Sequence, residues 1–351
     1  VTDRYIIRTS ERLAFKRCRR QWDYSSDNRQ GLEPIRNAVA LNFGTAVHAA
    51  MAVYYDPKTW GDDVRVETIT AFDLSILSMK GDVPDDKYQE LKDLGRGMLK
   101  YYFMWAPRYD RGQPILVEQE FEVPIPDPYG LSDQLYWEGI PVFYQGRFDK
   151  LEVDDGEYWL DDYKTCVSFC DPEILELDEQ CKSYAWAAQL QLGIPIVGIK
   201  YTELRKSVPH PPKELVRGGL SVAKNQLTTF ELFVATARRL GYPLEPYLDY
   251  LDFLKESPKQ FVRRSRNHYS QKELENQGIQ IGLEAIDMLN DPSIYPSPNR
   301  MECQRCAFRT PCLAENDGSD VEWILNDSYQ KRKEPRNLIL VDDDDFEYDS
   351  L

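Results

Sequence analysis

The chain has 351 residues, 42% hydrophobic and 12% aromatic, and carries a formal net charge of −16 from 43 basic and 59 acidic side chains. That content fits a globular protein with one large core or two modest ones, and excludes a chain that is disordered by default. No long apolar run occurs and the first residues lack a signal-peptide core, so the sequence reads as soluble and cytoplasmic, with no membrane partner.

In chain order, Ser10 is the expected N-cap of a first helix, with Phe15, Cys18 and Trp22 at helical spacing. A second helix is expected to start at Gly44 and Thr45, after which His48, Met51, Ala52 and Tyr55 share a stripe that turns His48 inward. Helices follow near 66–79 and 88–105, the latter interrupted by Gly95 and Gly97. Alternation from Ile115 to Ile125 predicts a half-buried strand. Two more strands, 142–153 and 158–166, are joined by Asp154-Asp155-Gly156, the signal of a tight hairpin. A helix is predicted over 177–192 and a strand over 196–203. After an exposed Pro-rich loop at 208–212 come helices near 228–240, 246–256 and 271–290, the last with a Ser270–Glu273 capping box. Helices, then a strand cluster at about 115–203, then helices again make an α/β core with helical embellishments, and without a linker the chain reads as a single domain over 1–340. The last ten residues hold Asp342, Asp343, Asp344, Asp345, Glu347 and Asp349 and no cation, which reads as a solvated acidic tail over 341–351.

The hairpin carries the chemistry. Asp162 and Lys164 must share a strand face, and pairing can bring Asp149 beside them. Converging carboxylates bind a hard cation such as Mg²⁺ or Mn²⁺, which lowers the pKa of water and neutralises charge growing on a phosphate. Whether Glu118 or Glu120, on the preceding strand, helps to hold a second metal ion stays open. Seven cysteines, an odd number, argue against a disulfide framework. Cys303, Cys306 and Cys312 form a C-x₂-C-x₅-C set that Cys18 would complete as a four-sulfur site, for a 4Fe-4S cluster or for Zn²⁺. Cys166, Cys170 and Cys181 read as core or surface thiols. Two basic stretches, Lys16 to Arg20 and Arg263 to Arg266, are candidates for contact with a phosphate backbone, with Phe261 or Tyr269 available to stack a base.

Five segments together resemble the RecB-like branch of the PD-(D/E)XK nuclease superfamily, over residues 9–313. They are Ser10-x₄-Phe15-x₂-Cys18-x-Arg20-x-Trp22, Gly44-Thr45-x₂-His48, Gly146-Arg147-Phe148-Asp149, Asp162-Tyr163-Lys164-Thr165 and Gln180-x₃-Tyr184. The resemblance implies a restriction-endonuclease-like mixed sheet flanked by helices. It implies that His48, Asp149, Asp162 and the backbone carbonyl of Tyr163 bind Mg²⁺ or Mn²⁺, that Lys164 positions or activates the attacking water, and that Gln180 and Tyr184 orient the site or DNA. A subset of RecB-like nucleases, including AddB-type repair subunits and CRISPR-adaptation nucleases, holds a 4Fe-4S cluster on cysteines spaced as here. The implied activity is an exonuclease on single-stranded DNA or DNA ends in recombination, repair or replication, with a helicase or recombination protein as a candidate partner. The alternative is a noncatalytic DNA- or partner-binding module with a structural iron-sulfur or zinc site.

Overall fold

The computed structural model describes residues 3–35, 39–256, 260–290 and 292–332, with side chains described from residue 43 onward in the second stretch. The acidic tail lies outside the described residues. In chain order the elements are β1 (Tyr5–Arg8), α1 (Thr9–Arg17), α2 (Arg19–Ser25), β2 (Leu32–Pro34), α3 (Val39–Tyr54), α4 (Arg65–Ile76), α5 (Asp85–Tyr109), β3 (Gln113–Pro124), β4 (Tyr136–Trp137), β5 (Ile140–Asp154) and β6 (Glu157–Cys166). There follow α6 (Pro172–Leu175), α7 (Glu179–Leu192), β7 (Ile196–Arg205), α8 (Phe230–Leu240), α9 (Leu248–Glu256), β8 (Val262–His268), α10 (Gln271–Leu289), α11 (Arg300–Arg305), α12 (Arg309–Asp317), α13 (Val321–Ser328) and β9 (Tyr329–Lys331). Two compact units result. Of the described residues, the larger comprises those within 39–135 and 143–282, and the smaller those within 3–35, 136–142 and 283–332.

The larger unit is built on a mixed sheet. β5 pairs antiparallel with β3 and β6, β6 pairs parallel with β7 through the α6–α7 crossover, and β8 pairs antiparallel with β7. The β5–β6 turn is as predicted: Asp155 and Gly156 both have positive φ (53° and 82°), the pairing that a two-residue hairpin of matching twist demands. Strand β8 was not expected, because Arg263, Arg264, Arg266 and His268 hide the apolar alternation on which strand prediction depends.

Those arginines belong to a buried ionic face that the sequence did not foreshadow. Lys150 Nζ lies 2.6 Å from Glu152, 3.0 Å from Asp161 and 3.3 Å from Asp110. Arg264 reaches Asp110 and Asp161 at 2.6 and 2.7 Å, Lys200 pairs with Glu152 and Asp154, and Arg266 pairs with Asp154. Four cations thus meet four carboxylates, and only this balance makes burial of so many charges tolerable. Tyr55 and Tyr102 cover the network, the Tyr55 hydroxyl bonding Asp110. The expectation that Arg263 to Arg266 could follow a phosphate backbone does not hold for Arg264, buried against Asp110 and Asp161, and Arg263 is bound to Glu203; Arg266 pairs with Asp154 but keeps its side chain 48% exposed. Phe261 and Tyr269 are buried, so neither is free to stack a base.

Around this face α3, α4 and α5 pack Phe43, Met51, Phe72, Leu99 and Tyr102 into the main apolar core. The two glycines expected to interrupt α5 do not, since the helix runs unbroken from Asp85 to Tyr109. Gly95 instead admits Phe72, whose ring would lie 2.0 Å from a Cβ at that position. Helix α3 starts at Val39, so Gly44 and Thr45 sit inside it rather than at its cap. The capping box of α10 forms as predicted, with Ser270 and Glu273 bonding each other. The 208–212 loop is partly buried at Pro209 and Pro212, not wholly exposed as expected.

In the smaller unit the first helix is capped at Arg8, not Ser10, with the Glu11 carboxylate accepting from the Arg8 N–H. It stops at Arg17, because Cys18 adopts an extended backbone (φ −162°, ψ 116°) that separates α1 from α2. Antiparallel pairing of β2 with β9 joins the two ends of the chain, and Tyr24, Phe308 and Tyr329 stack beside it at 5.3 and 5.2 Å between centroids. Arg12, almost wholly buried, pairs with Glu284, as does Lys16, while Arg20 pairs with Glu315. Lys16 and Arg20 of the N-terminal basic stretch are thus tied by ion pairs, and Arg17 pairs with Glu302 at the surface. Among the described residues no helix is long and apolar enough to cross a membrane.

Candidate active site

The site is assembled on the sheet face opposite the ionic network. Alternation puts Asp162 and Lys164 of β6 together, as their spacing predicts, and β5 supplies Asp149. Register adds a fourth group: Val117 pairs with Lys150 and Gln119 with Phe148, which leaves Glu118 of β3 opposite Asp149. Glu118 has a left-handed backbone, φ 47°. That conformation costs a residue with a side chain about 1–2 kcal/mol and persists where surrounding contacts enforce it. Here Glu118 Oε2 accepts from Arg147 Nε at 2.9 Å, and Oε1 lies 4.0 Å from His48 Nδ1.

His48 reaches the sheet from α3. Its Nδ1 is 3.2 Å from Asp149 Oδ1, and Asp149 Oδ2 accepts from the Tyr163 N–H at 2.8 Å. Ligating atoms of His48, Glu118 and Asp149 all lie within 4.8 Å of one another. Beside them Lys164 Nζ donates to Asp162 Oδ1 at 3.0 Å and lies 3.5 Å from Gln180 Oε1. The other Asp162 oxygen, Oδ2, is buried and also lies 3.0 Å from the Lys164 ammonium, with no hydrogen bond of its own. Asp110, Glu152 and Asp161 also bring oxygens within 4.8 Å of one another, but the Lys150 ammonium lies among them.

Burial and crowding set the protonation. Burial pushes the Asp162 carboxyl up to about 6, Lys164 resisting and Asp149 assisting. Burial and the neighbouring Asp149 raise Glu118 as well. Burial opposes charge on His48, yet Asp149 and Glu118 raise its pKa to about 9. Asp149, despite its burial, is held below its usual range by His48 and the Tyr163 N–H. At neutral pH an imidazolium therefore faces the carboxylates where a divalent cation would neutralise them better. Converging carboxylate oxygens and one imidazole suit a hard divalent ion.

Helix α7, capped by Asp178, places Gln180 and Tyr184 one turn apart on the site. Tyr184 packs edge-on to Phe121 at 5.4 Å. A Cβ on Gly146 would stand 2.5 Å from Phe121 Cζ and 3.1 Å from Tyr184 Cε1, so the glycine of the Gly146-Arg147-Phe148-Asp149 segment is there to seat these rings. The Tyr163 phenol turns to the other face and stacks on Tyr55. Sequence reasoning left Glu118 and Glu120 equal; pairing register and the left-handed backbone separate them, and neither shows in residue types.

A second concentration of chemistry lies in the smaller unit. Cys18, Cys303, Cys306 and Cys312 line one cavity of about 140 Å³. The Ser297 N–H points at Cys18 Sγ and the Asn299 N–H at Cys303 Sγ, each at 3.4 Å, and Arg20 lies 3.6 Å from Cys312 Sγ. Burial raises the Cys306 thiol, and the other three cysteines add to the rise. Among the described residues no three of these sulfurs come within 4.8 Å of one another. Cys181 is buried in the larger unit, as expected of a core thiol.

A sequence model of the PD-(D/E)XK nuclease superfamily matches residues 10–313. The chain belongs to that superfamily. Its mixed sheet flanked by helices is the restriction-endonuclease-like core expected of a member, and the carboxylate site fits the divalent metals that these nucleases use. No curated protein matches the sequence. A solved structure titled "Crystal structure of SSO0001" is similar at 12% identity over 90% of this chain and 88% of that one, with a TM-score of 0.36, too slight a likeness to bear on the site.

Proposed function

We propose that the protein is a Mg²⁺- or Mn²⁺-dependent deoxyribonuclease of the RecB-like branch, acting as an exonuclease on single-stranded DNA or DNA ends. The convergence of His48, Glu118 and Asp149 beside the Asp162–Lys164 pair carries this reading. In it, His48, Asp149, Asp162 and the Tyr163 carbonyl hold the ion, and Glu118 joins them. A bound divalent cation supplies Lewis-acid neutralisation of phosphate charge and acidifies an attacking water. Lys164 keeps its proton, because Asp162 and Asp149 outweigh its burial, and so offers a fixed positive charge to a phosphate oxygen or a hydrogen bond to water. Gln180 orients Lys164 through its Oε1, and Tyr184, seated over Gly146, shapes the approach of the strand.

The four cysteines of the smaller unit hold a 4Fe-4S cluster in this reading. Four thiolates also suit a single zinc ion; the N–H groups aimed at two sulfurs, and a cysteine spacing similar to that of cluster-bearing RecB-like nucleases, are what support the cluster in this reading. The cluster would tie Cys18 to residues 303–312 as a structural crosslink.

Protein purified without oxygen and given 5′- or 3′-labelled single- and double-stranded DNA with Mg²⁺ or Mn²⁺ tests both parts. Progressive loss of nucleotides from single strands or ends, with iron and sulfide in the protein, is the expected result. Internal cuts in the labelled strands would replace the exonuclease by an endonuclease, and one zinc per chain without iron would replace the cluster.

A further inference from the structure

Arg147 stands two residues before Asp149 on β5, and strand alternation turns both side chains to the same side, with their Cα atoms about 6.6 Å apart at the usual strand rise. Its Nε lies 2.9 Å from Glu118 Oε2. The other oxygen of that carboxylate, Oε1, lies 4.0 Å from His48 Nδ1, and Glu118 has a ligating oxygen within 4.8 Å of those of His48 and Asp149. One carboxylate therefore faces a guanidinium on one side and the metal-ligand cluster on the other. The left-handed backbone of Glu118, φ 47°, holds it there, a strained conformation of the kind that persists at functional sites.

A single negative charge cannot satisfy both neighbours in full. A divalent cation among His48, Asp149 and Glu118 draws on the Glu118 charge, and Arg147 is then left short of its counter-charge. The Arg147 side chain is 35% exposed, and among the described residues its terminal nitrogens have no partner. Other arginines that the basic stretches offer are differently placed: Arg264 is buried between Asp110 and Asp161, and Arg263 and Arg20 answer to Glu203 and Glu315, none of which belongs to the metal-ligand cluster.

We propose that Arg147 is a substrate-contacting residue, which presents its terminal nitrogens to the backbone phosphate next to the one held at the metal-ligand cluster, while Glu118 fixes the guanidinium through Nε. A guanidinium offers a planar fork that matches phosphate oxygens, and an arginine pinned at Nε keeps the outer edge of that fork for them. Its place on the same strand as Asp149 sets the contact at a short fixed spacing from the carboxylate, which gives the incoming strand a register as well as a charge to bind. This role rests on the nuclease reading above, and it assigns Arg147 to the nucleic acid rather than to the metal.

The test is fluorescence anisotropy of a labelled single-stranded oligonucleotide with the full chain, in Ca²⁺ so that binding is read apart from Mg²⁺- or Mn²⁺-supported cleavage, at several NaCl concentrations, for wild type, Arg147→Gln and Arg147→Lys. Calorimetric titration of each with Mn²⁺ in the absence of DNA runs beside it, and an unchanged melting temperature checks the fold. Arg147→Gln should bind the oligonucleotide about tenfold more weakly, as when one hydrogen bond to a charged group is lost. Its plot of log affinity against log salt should be shallower by about 0.7, the loss of one phosphate contact on a single strand. Arg147→Lys, which keeps the charge without the fork, should restore the slope and only part of the affinity. Mn²⁺ affinity should be unchanged or tighter in Arg147→Gln, because a cation beside the ligands has been removed. A wild-type salt slope in Arg147→Gln overturns the proposal whatever the affinity, and so does a fall in Mn²⁺ affinity, which would make Arg147 only a support for Glu118. If wild type itself binds no DNA, the nuclease reading fails and the proposal falls with it; wild type that binds and cleaves beside an Arg147→Gln protein of unaltered slope overturns the proposal alone.

Discussion

His48 Nδ1 of α3 lies 3.2 Å from Asp149 Oδ1 of β5, so a helix and a strand separated by a hundred residues of sequence meet at one proton. In the metal-free protein that proton holds the carboxylates together, and a cation must displace it.

Metal binding should therefore depend steeply on pH. The raised His48 pKa means that its charge stabilises the fold below the ordinary value of 6.5 and that this stabilisation is lost as pH rises through about 9. A metal ion competes with the same proton, so affinity should tighten from pH 6 to 9, by up to about tenfold per unit for the one proton released, and then level. Below about 6, protonation of Asp162 should weaken it further. Calorimetric titration with Mn²⁺ at several pH values measures this, and an affinity constant from pH 6 to 9 would contradict it.

Lys150→Met should unfold the protein more readily. The change removes the ammonium that lies within 3.3 Å of Asp110, Glu152 and Asp161 and leaves buried carboxylates uncompensated. The expected loss is about 3–5 kcal/mol, the usual consequence of breaking a buried ion pair on one side. Urea denaturation reads it, and a loss below about 1 kcal/mol would mean that Arg264 and Lys200 rebalance the network on their own.

Cys312→Ser should lose iron, melt at lower temperature and become more open to proteolysis in residues 1–37 and 283–332, because metal binding at such a site is coupled to folding. Activity per folded molecule should stay near wild type. An inactive variant that is fully folded would give the cysteines a part in DNA engagement.

The core strands and the hairpin were legible because apolar alternation and the Asp155-Gly156 turn are local signals, and Asp162 with Lys164 follows from strand period alone. Family motifs supplied His48, Gln180 and Tyr184. What stayed hidden was long-range. The choice of Glu118 over Glu120 depends on the register with β5, and strand β8 hides in a run of arginines whose partners lie on β5, β6 and β7 and before β3. Cys18 seemed to continue a helix, yet its extended backbone ends one. Charged residues in a buried sheet cannot be told from a solvated face until their counter-charges are located in space.

Cleavage of end-labelled single-stranded DNA in Mn²⁺ by wild type, Asp162→Ala and Lys164→Ala tests the central claim most directly. Each variant should fold, retain DNA binding and lose about three orders of magnitude in rate, as expected when several kcal/mol of transition-state stabilisation are removed. Cleavage by both variants at near wild-type rate would contradict the assignment of the active site.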